Sequence, residues 1–190
     1  MAKPTPARRP RRVAITGGIA AGKSEALKAF ARRGAAVASS DEIVHRLIAQ
    51  DDEVRASLEE RFGTTDRAAI GEVVFRDREQ LGWLEALLHP RVREEYLEWL
   101  DGLDGSVDVA VIEIPLLYET GGERLFDAVV VVTAPEDERR KRGGDKIDER
   151  SDRLLPEDEK VRRADFVYVN DGSLEELDAF VRRVLEELRG

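Results

Sequence analysis

The chain has no cysteine. That excludes disulfide staples, thiolate metal sites and cysteine nucleophiles, and it fits a reducing compartment, so a cytoplasmic location is expected. Long apolar runs are missing too. Nothing approaches the roughly 18 residues of a membrane span, so no membrane association is expected. The basic N-terminus lacks the apolar segment of a secretory signal. Histidine is scarce: His45 and His89 are the only two, and they make no metal-binding motif. Net positive charge is absent beyond the N-terminus. Lys3, Arg8, Arg9, Arg11 and Arg12 lie in residues 1–12 with no acid among them; set against an overall −9, they leave −14 for the rest. A body this acidic is a poor partner for nucleic-acid phosphates. Segment 1–12, with three prolines in ten residues, is expected to be a solvated, disordered basic tail.

What is present points to an α/β protein. At 190 residues there is room for one domain and a small inserted subdomain. Hydrophobic residues make up 42% of the chain, enough for a real core, and the 37% of charged residues are interleaved as on solvated helix faces. Short apolar runs at 13–16, 35–38, 107–114, 128–133 and 166–169 read as strands. Helical periodicity marks 24–33, 41–50, 78–88, 91–100 and 174–188. Strands alternating with helices predict a five-stranded parallel sheet covered on both faces. The strand-free stretch from Asp41 to Leu103 breaks that alternation and reads as a helical insertion between the second and third strands. A second interruption, 135–160, is dense in charge and reads as a mobile excursion off the sheet.

Directly after the first strand comes Gly17-Gly18-Ile19-Ala20-Ala21-Gly22-Lys23-Ser24, which fits G-x-x-x-x-G-K-[ST] at every fixed position. Glycines let backbone N–H groups converge on one point without Cβ clashes. The helix starting near Lys23 aims its unpaired N–H groups and positive dipole end at that point. Lys23 supplies a point charge for β- and γ-phosphates, and the Ser24 hydroxyl is placed to ligate Mg²⁺. The motif specifies a phosphate site rather than a reaction. A GTPase of the common type is disfavoured, because no glycine has an aspartate three residues before it and the single asparagine, Asn170, sits in "VNDG".

Two carboxylates are candidates for the chemistry. Asp41 follows the second strand. With the first two strands as neighbours it would face the γ-phosphate, to accept a hydroxyl proton or help hold Mg²⁺; the alternative is a plain helix N-cap. Glu113 interrupts the apolar run "VAVIEIPLL", which suits either a metal-shell acid or a residue at an exposed strand end. His89, before Pro90, reads as a structural turn between two helices. Arg139, Arg140, Lys141 and Arg142 form either a solvated helix face or a lid that clamps phosphate.

The segments "TGGIAAGKS", "SDEIVH", "DRAAIGEVVFRD", "LEALLHPRV", "IPLLYETG" and "ADFVYVNDGSLEEL" occur in the order and approximate spacing of dephospho-CoA kinases. The chain resembles that family from Val13 to the C-terminus. The resemblance implies a P-loop kinase fold and transfer of the ATP γ-phosphate to the 3′-hydroxyl of dephospho-CoA, with Mg²⁺. It implies a nucleotide-binding core of residues 13–42 and 104–190, an acceptor-binding helical subdomain of 43–103, and a short lid over 136–160. By position, Gly18, Ala20, Ala21, Gly22, Lys23, Ser24 and Glu25 border the ATP phosphates, and Asn170 lies near the adenine pocket. Asp41 matches the second aspartate of a D-x-D element, the implied base for the 3′-hydroxyl. Glu113, with Ser24, falls to the metal; His89, Pro90 and Leu116 border the acceptor; Arg150 matches a catalytic lid arginine, acting with Lys23.

The chain departs from the family pattern in three places. Ser39 stands where D-x-D has its first acid, Glu25 replaces the usual threonine, and the lid is shortened, with Leu154 at a position usually glutamine. Two rival readings follow: a P-loop kinase for another small acceptor, and a nucleotide-binding regulator without turnover.

Overall fold

The computed structural model describes residues 9–143 and 154–189. Five strands form one parallel sheet: β1 (Arg11–Gly17), β2 (Ala36–Ser39), β3 (Val109–Glu113), β4 (Ala128–Thr133) and β5 (Phe166–Val169), in the order β2-β3-β1-β4-β5. The expected α/β class and five-stranded parallel sheet are therefore correct. The condition that the first two strands be neighbours is not met. β3 lies between β1 and β2, so the first two strands do not touch. Burial explains the order. All five residues of β3 are buried, whereas β2 is only half-buried throughout, as suits a short edge strand.

The sheet residues and the helices α1 (Lys23–Arg32) and α8 (Leu174–Arg189) belong to a first compact unit, Met1–Ser39 with Gly102–Gly190. Leu177, Phe180, Val181, Val184 and Leu185 of α8 are buried, a spacing of three and four that lays one stripe onto the core. Fully buried Phe30 anchors α1 in the same cluster; truncation of such a side chain to Ala costs roughly 3–5 kcal/mol. Two shorter helices, α6 (Glu136–Gly143) and α7 (Glu157–Arg163), are charge-rich and lie between β4 and β5 in sequence.

The second compact unit is Ser40–Asp101. It comprises α2 (Ser40–Gln50), α3 (Asp52–Phe62), α4 (Arg67–Arg76) and nearly all of α5 (Arg78–Gly102). Its own core includes Ile48, Val54, Leu58, Ile70 and Leu88, with Phe62 set edge-on to Trp83 at 5.5 Å. Asp51 caps α3 by accepting from Val54 N–H, and Asp66 caps α4 by accepting from Ala69 N–H, both at 2.8 Å. Gly63 closes α3 at φ 68°, where a side chain would be strained.

Two further expectations need correction. The helices expected at 78–88 and 91–100 are one 25-residue helix, and Pro90 lies inside it instead of in a turn. Proline removes one N–H donor to the carbonyl four residues back; next to that gap, the Arg91 guanidinium donates to Leu87 O at 3.0 Å. The segment expected as a tail, 1–12, also overlaps the fold. Arg11 and Arg12 are strand residues, paired in register with Val109 and Ala110. Arg9 is bound to Asp127 at 2.8 Å. Residues 1–8 lie outside the described ones. Among the described residues no helix is long and apolar enough to cross a membrane.

Candidate active site

In the first unit, the glycine-rich loop runs from the carboxyl end of β1 to the start of α1. Two of its residues are left-handed: Ala20 at φ 57° and Gly22 at φ 99°. Such alternation turns successive N–H groups toward one concavity, which favours an anion. Neither Gly17 nor Gly22 tolerates a side chain. A Cβ on Gly17 would collide with Val132 O of β4, and one on Gly22 would collide with Asn170 Nδ2. The Asn170 amide donates to Ala21 O at 2.9 Å and so holds the loop from the end of β5. Lys23 curls back over the loop, its Nζ 2.8 Å from Gly18 O.

β3 delivers Glu113 to the same unit. Its carboxylate is buried, at 5% exposure, and accepts from Ser24 Oγ at 3.1 Å and 3.4 Å. A buried acid is costly unless paired or near a metal. The hydroxyl and carboxylate together form a pair of hard oxygen donors of the type Mg²⁺ prefers, the remainder of its shell coming from phosphates and water. The two residues fit that ion. The exposed strand-end alternative for Glu113 is overturned by its burial. Register pairs Glu113 with Ile15 on one side and Ser39 on the other. Ser39, at the position of the missing acid, is thus a direct strand neighbour of Glu113. Buried Thr16 donates to Pro115 O at 3.1 Å, tying β1 to the turn that contains half-buried Leu116.

Glu25 is turned elsewhere. Its carboxylate meets Arg32 at 3.1 Å and Lys28 at 3.5 Å, and its own N–H donates to Gly22 O. Glu25 thus directly follows the loop while its charge is committed to a neighbouring arginine and lysine of its own helix, as a carboxylate that phosphate would repel is expected to be. Of the α6 arginines, Arg140 pairs with Glu136 and Arg142 with Glu138, both one turn away on the same helix. Arg139 instead reaches Glu157 of α7 at 3.1 Å, beside Gly18. Arg150 lies outside the described residues.

In the second unit, Asp41 is the second residue of α2 and exposed. It sits inside the first helical turn rather than capping it, where the helix dipole favours a carboxylate. His89 is half-buried and Pro90 exposed, both mid-helix on α5. His45 is contacted by Arg67.

Two residues beside the loop escaped sequence reading: Glu157 and Lys160 lie in "PEDEK", which has the composition of a solvated helix start. Yet Lys160 is 1% exposed and pairs with Glu119 at 2.7 Å.

Comparison with known proteins agrees with this geometry. The family model for dephospho-CoA kinase matches residues 11–176. The chain is 37% identical over 186 residues to the dephospho-CoA kinase of Rhodopseudomonas palustris strain HaA2, covering 90% of this chain and 92% of that one. It superposes on the crystal structure of TT1252 from Thermus thermophilus with a TM-score of 0.80 and 35% identity, covering 96% of this chain and all 100% of the other. The dephospho-CoA kinase of Campylobacter jejuni aligns at TM-score 0.65 and 27% identity, covering 95% and 98%. The chain belongs to the dephospho-CoA kinase family.

Proposed function

We propose that this protein transfers the γ-phosphate of ATP to the 3′-hydroxyl of dephospho-CoA, forming CoA and ADP in the last step of CoA synthesis. The observation that carries the reading is the Ser24 hydroxyl on the buried Glu113 carboxylate, beside a glycine loop over which Lys23 is folded. The loop N–H groups and the first turn of α1 bind the donor phosphates. Lys23 exchanges its loop carbonyls for β- and γ-oxygens and offsets charge as the γ-phosphoryl is transferred. Ser24 and Glu113 would hold Mg²⁺, which supplies neutralisation of phosphate charge when bound. Asp41 orients the acceptor hydroxyl and takes its proton as the new O–P bond forms. Helices α2–α5 supply the acceptor surface, with His89, Pro90 and Leu116 bordering it, and Arg150 joins the lid over the phosphates. We place the enzyme in the cytoplasm, on its cysteine-free composition.

The test is purified protein with Mg-ATP and dephospho-CoA, run beside ATP alone. CoA formation is expected. Product only from other acceptors would give the site to a different small molecule; ATP binding without any product would make the chain a regulator. Asp41→Asn is expected to lose most of the rate while keeping ATP affinity, and an unaffected rate removes Asp41 from the mechanism.

A further inference from the structure

Beside Gly18 and Ile19 lies a cavity of about 200 Å³, also lined by Arg139, Leu154, Leu155, Pro156, Glu157 and Lys160. Its wall holds an unusual set of buried polar atoms. Among the described residues Arg139 Nε, Glu157 Oε1 and Glu119 Oε2 have no hydrogen-bond partner, and the buried Lys160 ammonium is ion-paired with the other Glu119 oxygen at 2.7 Å. Buried groups of this kind are rare unless something else occupies the site. The nearest side-chain atoms to a Cβ placed on Gly18 would be Arg139 Nη1 at 3.0 Å and Glu157 Oε2 at 3.3 Å. An acid therefore stands against the anion-binding loop, neutralised by an arginine.

We propose that Arg139 changes partners during the catalytic cycle: it rests on Glu157 beside the loop, and it leaves Glu157 for the terminal phosphate when a nucleoside triphosphate binds. The inference rests on the nucleotide reading of the loop given above. Three features carry it. Arg139 is bound outside its own helix, to Glu157 of α7, and it is set against Gly18. A phosphate dianion presents more charge and more acceptor oxygens than a carboxylate, so it displaces Glu157 from the guanidinium fork. Lys160 then remains as counter-charge to Glu157. Burial pushes the Glu157 carboxyl above its ordinary range, against which the charges of Arg139, Lys160 and Lys23 all act. A diphosphate, which has no γ-phosphate to offer, leaves the resting pair closed. Arg139 is thus a phosphate-contacting residue and Glu157 a positioning residue that withholds it until the triphosphate arrives.

The experiment is calorimetric titration of ATP and of ADP into the full chain as wild type, Arg139→Gln, Glu157→Gln and the double variant. Arg139→Gln is expected to weaken ATP by about tenfold and ADP by less than about threefold. Glu157→Gln is expected to tighten ATP by about threefold or more, because no ion pair then has to break. The double variant should match Arg139→Gln. A merely structural ion pair predicts that both single variants weaken ATP; that outcome, or equal losses for ATP and ADP in Arg139→Gln, overturns the proposal. Should Arg139→Gln not fold, Arg139→Lys keeps the charge without the fork and is expected to weaken ATP but not ADP; no split between them would also overturn it. A wild type that binds no ATP removes both this inference and the nucleotide reading, whereas normal ATP binding with same-sign effects removes this inference alone.

Discussion

The hydroxyl of Ser24 and the carboxylate of Glu113 meet at 3.1 Å across 89 positions of sequence. One comes from the first turn of α1 and the other from the last residue of β3. Each explains the other: the acid is too buried to stand alone, and the serine hydroxyl partners it; together they are hard oxygen donors that would suit Mg²⁺. Glu113→Gln keeps the size and removes the charge. Its kcat is expected to fall by about 10²-fold or more, with a rise in the Mg²⁺ concentration giving half-maximal rate. Steady-state kinetics across a Mg²⁺ series checks this, and an unchanged Mg²⁺ requirement takes Glu113 out of the metal site.

Gly22→Ala is expected to abolish measurable ATP binding. The position is left-handed, and the new methyl meets the Asn170 amide that secures the loop. The strain alone costs about 1–3 kcal/mol, visible as a lower melting temperature. Asn170→Ala removes the collision. If Gly22→Ala combined with Asn170→Ala binds ATP no better than Gly22→Ala alone, the clash is not the cause.

Glu25→Thr tests the acid that directly follows the phosphate motif. Because its carboxylate already faces Arg32 and Lys28, the change is expected to tighten ATP by less than about threefold. The exposed pair itself contributes only about 0–1 kcal/mol to stability. A gain of tenfold or more in a binding titration would mean the side chain swings to the phosphates.

Asp127 sets an acid limit on the first unit. Burial favours its neutral form, but the Arg12 N–H at 2.8 Å and the Arg9 guanidinium at 2.8 Å outweigh this and hold its pKa below the ordinary carboxylate value. A depressed folded pKa stabilises at pH above the unfolded value, about 4, and the benefit is lost as pH falls through the folded one. Asp127→Asn is therefore expected to cost about 1–3 kcal/mol at neutral pH. The gap to wild type should close on acidification below about pH 4. A gap independent of pH in denaturant titrations would show that charge is not the cause.

Much of the core and of the donor site was readable in advance. β4 and β5 match their apolar runs to the residue, since a buried parallel strand announces itself by continuous hydrophobicity. Both faces of the phosphate loop follow from a contiguous motif, whose steric demands are local. Pro90 misled because its effect on a helix is local, whereas packing of Leu88, Val92, Tyr96 and Leu100 along one long helix is not. In α3, Val54, Leu58 and Phe62 are too few to outline a separate helix within the insertion before its partners are known.

Chain order alone determined that a phosphate-loop motif follows the first strand, that helices interrupt the sheet, and that Lys23 and Ser24 open the first helix, because each rests on neighbours within one turn or one run. Long-range placement determined the rest. The insertion of β3 between β1 and β2 set Glu113 against Ser24 and in register with Ser39. Burial of Lys160 and the pairing of Arg139 with Glu157 turned a charge-rich segment into part of the loop's wall. Charge patterns look alike in sequence whether solvated or enclosed; only the fold sets the water they keep and the partner they face.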